Sequence, residues 1–181
     1  VGAFGVMTDE LLSDAVALGG ELEAAFAAEL IFQVENKIYR GNGANAPFGF
    51  LNAPCLVSVA KETNQTAATI LGINITKMAS RMPPRSFANA VWLANAECRP
   101  AFAELIQPIG TSGIRYPYAS VEAGSVSLWG RPVIFVEYAE ALGTVGDIAF
   151  VDLSKYRLIR KGGVEQASSM HVYFATVEMA F

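Results

Sequence analysis

Residues 8–39 read TDELLSDAVALGGELEAAFAAELIFQVENKIY, and this stretch decides the fold. Apolar residues recur in it at spacings of three and four, at Ala15, Leu18, Leu22, Phe26, Leu30, Val34 and Ile38. That period places one apolar stripe along an α-helix. The pattern therefore predicts a single helix from Thr8 to Tyr39, roughly 45 Å long at the usual rise per residue.

Both ends of this helix have sequence signals. Thr8 is a residue type that caps a helix by accepting a hydrogen bond from a free backbone N–H. The two acidic residues that follow it complement the helix dipole. At the other end the run Gly41–Gly43 stops the helix, and Gly19-Gly20 predicts a bend near its middle. The sequence thus favours one long, stiff element at the start of the chain.

The remainder of the chain favours short mixed elements. Helices are predicted at residues 73–81 and 96–106, and strands at 90–94, 132–137, 147–153, 155–161 and 171–177. Residues 110–125, rich in Gly, Ser, Tyr and Pro, are predicted to form an exposed loop. One long helix, then mixed elements and then strands, is typical of an α+β fold and not of alternating βαβ units.

The composition is poor in charge. Charged residues make up 17% of the 181 positions and apolar residues 52%, whereas about 25% charge is usual in a soluble domain. Depletion of charge is typical of the core of a protein–protein interface. We therefore expect other subunits to cover part of the surface, and an ordinary protein with a large core is the alternative.

Charge and hydropathy disfavour two classes of partner. The net charge is −4, and the longest basic cluster is the short run at residues 157–161, so no concentrated positive patch for sequence-specific nucleic-acid binding is expected. No apolar run reaches membrane-spanning length, and no secretory signal pattern is evident. Membrane association is therefore not expected.

Residues suited to catalysis or metal binding are few. The chain has two cysteines, Cys55 and Cys98, and one histidine, His171, with no zinc-ligand spacing among them. No G-x-S-x-G nucleophile turn accompanies His171, which is interpreted as a structural histidine at a strand end. Both cysteines are predicted to be small buried hydrophobes. We expect no catalytic, cofactor or metal site, and a small α+β enzyme that uses His171 is the less favoured alternative.

Five ordered segments carry a family resemblance. Residues 7–14, 41–52, 90–95, 128–133 and 146–157 read MTDELLSD, GNGANAPFGFLN, AVWLAN, LWGRPV and GDIAFVDLSKYR. Together they resemble the major capsid proteins of tailed phages, which have the Hong Kong 97-type fold. In that family they correspond to the start of the long spine helix, its glycine-rich exit, the central axial-domain strand, a G-x-P-V segment and the strands that lead back to the peripheral domain.

This resemblance implies a structural subunit of an icosahedral phage or prophage capsid. Pentamers and hexamers of the subunit would enclose DNA in the virion, after assembly in the host bacterial cytoplasm. Residues 1–54 and 161–181 would form the peripheral domain, and residues 55–160 the axial domain. Its partners would be copies of itself, together with scaffold, protease and portal proteins. An encapsulin-like bacterial compartment shell, which shares the fold, is the alternative.

The resemblance also implies which residues meet neighbouring subunits. The loop at residues 110–125 would lie near the five-fold and six-fold axes, with Ile114, Arg115, Tyr116 and Tyr118 as candidate interface residues, because tyrosine and arginine are enriched at interface hot spots. The family's N-terminal arm, extended loop and closing strand are expected to be absent from this sequence. The last asparagine is Asn95, so the lysine–asparagine cross-link of some relatives is not expected.

Overall fold

The computed structural model describes residues 6–8, 18–109, 112–115, 119–122, 125–159, 162, 169–173 and 178–180. The described residues include four α-helices: α1 Leu18–Arg40, α2 Gly72–Arg81, α3 Pro84–Phe87 and α4 Arg99–Ala103. They also include ten strands: β1 Val6–Thr8, β2 Val91–Ala94, β3 Ile106–Ile109, β4 Ser112–Arg115, β5 Ala119–Glu122, β6 Ser125–Leu128, β7 Arg131–Phe135, β8 Ile148–Val151, β9 Ser169–Tyr173 and β10 Glu178–Ala180. The chain divides into two compact units, Val1–Ala53 with Leu158–Phe181, and Pro54–Arg157.

The first unit contains the long helix and a small antiparallel sheet. Helix α1 has 23 residues, or about 35 Å at the usual rise per residue. Its end before Gly41 confirms the predicted stop. The predicted start at Thr8 is wrong, because Thr8 lies in β1 and pairs with Glu178 of β10. Gly19 and Gly20 therefore fall in the first turn of α1, and residues 9–17 lie outside the described residues.

The second unit is built on a five-stranded mixed sheet with the strand order β5-β6-β7-β2-β8. Strand β2 runs parallel to β7 and antiparallel to β8. The strands predicted near residues 90–94, 132–137 and 147–153 are confirmed, and so is the helix near residues 73–81. The helix predicted at 96–106 is confirmed only in part, because it ends at Ala103 and Ile106 begins β3. The α+β class is confirmed.

A buried tryptophan organises the core of this unit. Trp92 is fully buried, and its ring stacks on Phe150, the residue opposite it on β8, with the ring centroids 4.1 Å apart. The Trp92 indole N–H donates a hydrogen bond to the Leu128 carbonyl, at 3.0 Å. The other buried members of the cluster are Ile75, Ala79, Ala94, Cys98, Phe102, Leu105, Val126 and Leu128. Because β6, β7, β2 and β8 all contribute to this contact network, the core joins most of the sheet.

Three regions differ from the prediction. Residues 110–125 were expected to be a loop, but β3 pairs with β4 and β5 pairs with β6, both antiparallel. The strand predicted at 155–161 is wrong, since the Asp152 carboxylate caps a 3₁₀ turn at Leu153–Lys155 and no strand follows in the described residues up to 159. The strand predicted at 171–177 begins earlier and ends at Tyr173, and residues 174–177 lie outside the described residues.

Candidate interaction surfaces

The loop that leaves α1, residues 41–52, is closed by side-chain hydrogen bonds to the helix end. The Asn52 side-chain amide donates to the carbonyls of Arg40 and Gly41, each at 3.0 Å. The Gly49 N–H donates to the Gly41 carbonyl at 2.8 Å. The last carbonyls of a helix have no partner within the helix, so Asn52 supplies one from twelve residues further along the chain. We call residues 41–52 the exit loop.

Two glycines of the exit loop lie where no side chain fits. A Cβ on Gly41 would lie 2.1 Å from the Pro47 carbonyl oxygen and 2.4 Å from that of Lys37. A Cβ on Gly49 would lie 2.4 Å from the Gly41 nitrogen. All of these neighbours are main-chain atoms, which cannot rotate away as a side chain would. The loop therefore folds back against the helix end only because both positions are glycine.

Aromatic residues complete the exit loop. Tyr39, in the last turn of α1, is buried and packs edge-to-face against Phe50, with the ring centroids 4.8 Å apart. Asn42 and Phe48 form an antiparallel bridge across the loop. Phe48 nonetheless keeps 47% of its surface exposed. The loop is thus fixed in shape and presents a large aromatic side chain to the outside.

Other large apolar side chains are also exposed. Within the described residues they are Ile31, Phe48, Leu56, Val57, Leu71, Ile73, Ile134, Val145, Leu153, Leu158 and Ile159. Single exposed apolar residues are ordinary on protein surfaces, but groups of them mark interaction sites. Leu56 and Val57 are adjacent in the chain, and Leu71 and Ile73 lie at the start of α2. The second unit therefore carries candidate contact surfaces for another molecule.

The exit loop and the residues after it carry no charge. From Gly41 to Ala60, twenty consecutive residues include no Asp, Glu, Lys or Arg. Leu56–Ala60, which we call the open segment, follows a turn at Pro54-Cys55 and runs without turn or bend. Its side chains are exposed except that of Val59, which is half-buried. An uncharged run that ends in an exposed apolar segment suits contact with a protein surface better than contact with water.

Comparison with known proteins assigns the chain to a family. A model of the phage capsid family matches residues 1–181. The chain belongs to the phage capsid family. Its structure is similar to the capsid of an empty GTA particle computed with C5 symmetry, with a TM-score of 0.60 at 19% sequence identity. That match covers 83% of this chain and 53% of the other, so this phage capsid family chain spans about half the length of the chain it matches. No curated protein sequence matches significantly.

Two of the four residues predicted for the subunit interface of this capsid-family chain are described in the structure. Ile114 and Arg115 lie on β4, opposite Gln107 and Ile106 of β3. Tyr116 and Tyr118 lie outside the described residues. The structure thus replaces the predicted loop by a strand at two of these four positions, and their role in subunit contacts stays a prediction. The open segment was not predicted as a contact surface, although the long uncharged run that contains it is visible in the sequence.

The structure describes all three residues considered for catalysis or metal binding. His171 lies on β9, at the middle of the strand and not at its start. Cys98 is buried, as predicted, whereas Cys55 is exposed, so its predicted burial is wrong. Across the described part of the chain, no cluster of three His, Cys, Asp or Glu side chains could hold a metal ion. The same residues include no helix that is long and apolar enough to cross a membrane.

The two cysteines of this capsid-family chain are expected to differ in reactivity. Burial, with the nearby Asp147 carboxylate, raises the pKa of the Cys98 thiol to about 11, so only about one thiol in a thousand is ionised at pH 8. Cys55 is exposed. Iodoacetamide at pH 8 should label Cys55 alone, as measured by peptide mass spectrometry. Denatured protein is the control, in which both label, and equal labelling rates in the folded protein would contradict the burial of Cys98.

Proposed function

We propose that this chain is the shell-forming part of a phage or prophage major capsid protein. Copies of it would form pentamers and hexamers that close into an icosahedral shell around DNA. The observation that carries the proposal is the match of the capsid family model along all 181 residues. The similarity to a capsid structure supports the same fold. Membership of this family points to a structural protein and not to an enzyme.

The surface chemistry supports assembly with copies of the same chain. The described residues expose large apolar side chains in both compact units, and residues 41–60, which contain the exit loop and the open segment, are twenty consecutive uncharged residues. A shell subunit needs such surfaces on several sides, because each copy contacts several neighbours under rotational symmetry. Standard interfaces remove on the order of 800 Å² per partner from water, which favours a charge-poor surface.

The net charge supports a container and not a nucleic-acid reader. A value of −4 gives no overall attraction to the phosphate backbone, whose binding depends on Lys and Arg contacts. A shell that encloses DNA without binding it tightly does not need such Lys and Arg contacts. In the proposed assembly, Ile114, Arg115, Tyr116 and Tyr118 would contact neighbours near the symmetry axes. Scaffold, protease and portal proteins would be the other partners, and the virion the final location.

Particle formation tests this proposal directly. The protein, expressed from its complete gene, should sediment as large particles, and electron microscopy should show closed icosahedral shells of uniform size. Shells from phage-producing cells should contain DNA that resists added nuclease until the shells are disrupted. A protein that stays in small species under all conditions would contradict the proposal. Shells that hold a protein cargo and no DNA would point instead to an encapsulin-like compartment.

A further inference from the structure

We infer that the open segment, Leu56–Ala60, is a docking strand that pairs along its main chain with an extended segment of a second copy of this chain. The inference rests on the proposed function, because it names the partner and the mode of contact for one surface of the shell subunit. It is carried by three features: main-chain groups of the segment with no main-chain partner among the described residues, its side chains, and the contacts that hold the residues after it.

The main chain of the open segment is available for pairing. No main-chain hydrogen bond joins Val57–Ala60 to any described residue, although the segment is unbent over its whole length. A segment with unpaired N–H and C=O groups is a ready template for another strand. Peptide recognition by strand addition uses this geometry, with main-chain hydrogen bonds giving affinity and alternate side chains giving specificity.

The side chains of the open segment suit a sheet. Leucine and two valines dominate the sequence LVSVA, and β-branched residues are enriched in strands because they pack well on a pleated surface. Leu56 and Val57 are 40% and 53% exposed. Adjacent residues of a strand point to opposite faces, so apolar surface is available on both sides. An added strand would cover both side chains as well as the backbone.

The residues after the open segment are held in place. Lys77 of α2 forms an ion pair with Glu62, with 2.5 Å between nitrogen and oxygen. The Gln65 side-chain amide donates to the Thr69 carbonyl at 2.8 Å and to the Asn74 side-chain oxygen at 2.9 Å. These contacts anchor the chain directly after the open segment. Less conformational entropy is then lost when a partner binds, which favours docking.

A second copy is the occupant that these observations favour. The uncharged run at residues 41–60 offers no ion-pair partner, and a charge buried without a partner costs free energy, so an uncharged strand is the favoured occupant. Every copy carries such strands: the open segment itself, and β8, which has the sequence IAFV and ends the five-stranded sheet. In a capsid family, neighbouring copies are also the partners present at the highest local concentration.

Replacing Ser58 by proline tests the pairing. Proline removes one N–H and favours an extended residue before it, so the isolated subunit should fold as before, because that N–H has no main-chain partner in the described chain. Ser58→Ala keeps the N–H and is the matched control. We expect the yield of particles to fall at least about tenfold for Ser58→Pro and to stay unchanged for Ser58→Ala, as measured by sedimentation. Circular dichroism compares the folds.

Hydrogen exchange gives a second readout that needs no substitution. The amides of Val57–Ala60 should exchange quickly in free subunits and slowly in assembled shells. Full particle yield from Ser58→Pro, or fast exchange of these amides inside shells, would overturn the inference while leaving the proposed function intact. Failure of the wild-type protein to form particles would instead overturn both. If Ser58→Pro does not fold, Val57→Lys keeps the backbone and places a charge in the contact, with the same loss of particles expected.

Discussion

Replacing Trp92 by alanine is expected to destabilise the second unit by about 4 kcal/mol, the usual range for removal of a large buried aromatic side chain. The Trp92 side chain is fully buried and stacks on Phe150 at a centroid distance of 4.1 Å. Alanine would leave a cavity that the strands cannot close, because main-chain pairing on both sides holds β2 between β7 and β8. Urea denaturation of the whole chain, followed by circular dichroism, measures the effect.

Trp92→Phe separates the two contributions of this side chain. Phenylalanine can still stack on Phe150, but it removes the indole N–H that donates to the Leu128 carbonyl at 3.0 Å. The Leu128 carbonyl would lose this buried hydrogen bond, which costs about 0.5–1.5 kcal/mol. We therefore expect the denaturation midpoint of Trp92→Phe to lie between those of the wild type and Trp92→Ala. A midpoint for Trp92→Ala that coincides with the wild-type value would contradict the central position of Trp92 in the core.

The core strands could be predicted because their signal is local. The residues AVWLA form a short apolar run that contains a large aromatic residue, and β2 lies there with Trp92 and Leu93 buried. The helix end before Gly41 could also be predicted, because glycine ends helices through its own backbone conformation. The start of α1 could not be predicted from the sequence. Thr8 has the chemistry of a helix cap, but its partner Glu178 is 170 residues away in the chain, and no local pattern records such a pairing.

The strands within residues 106–128 were missed for a different reason. Their density of Gly, Ser, Tyr and Pro is typical of loops, yet β3 and β4 are separated by two residues, as are β5 and β6. Two-residue spacings are those of β-hairpins. On β6 the alternation of Ser125, Val126, Ser127 and Leu128 is clear in retrospect, with Val126 and Leu128 buried. This period of two is the pattern of a half-buried strand.

The exit loop requires glycine at two positions for a reason that residue type alone does not predict. Gly41 was predicted to end the helix, and it does, but its stronger requirement comes from Pro47, whose carbonyl oxygen occupies the space of a Cβ. Gly49 carries no local signal beyond its place in the family-like stretch. Its need for glycine arises only when the loop folds back on Arg40 and Gly41. Close approach of two backbone segments is a tertiary property, so residue type alone does not predict it.

Substituting Gly49 by alanine is therefore expected to destabilise the first unit by about 3 kcal/mol, the upper part of the usual range for overpacking. The new Cβ would lie 2.4 Å from the Gly41 nitrogen and 2.7 Å from two atoms of Arg40. Relief requires the loop to move off the helix end. That movement breaks the bond from Gly49 N–H to the Gly41 carbonyl and weakens both bonds donated by Asn52. Thermal unfolding of the whole chain measures the loss.

Gly20→Ala is the matched control, because it makes the same chemical change in the same unit with the opposite expected sign. Nothing lies within 4 Å of a Cβ on Gly20, which is exposed in the first turn of α1. Alanine there should stabilise the helix by up to about 1 kcal/mol, since glycine loses more backbone freedom on folding. If both substitutions shift the unfolding temperature equally, the effect at Gly49 would come from chain entropy alone. Only a loss at Gly49 alongside a gain at Gly20 identifies the clash with the helix end as its cause.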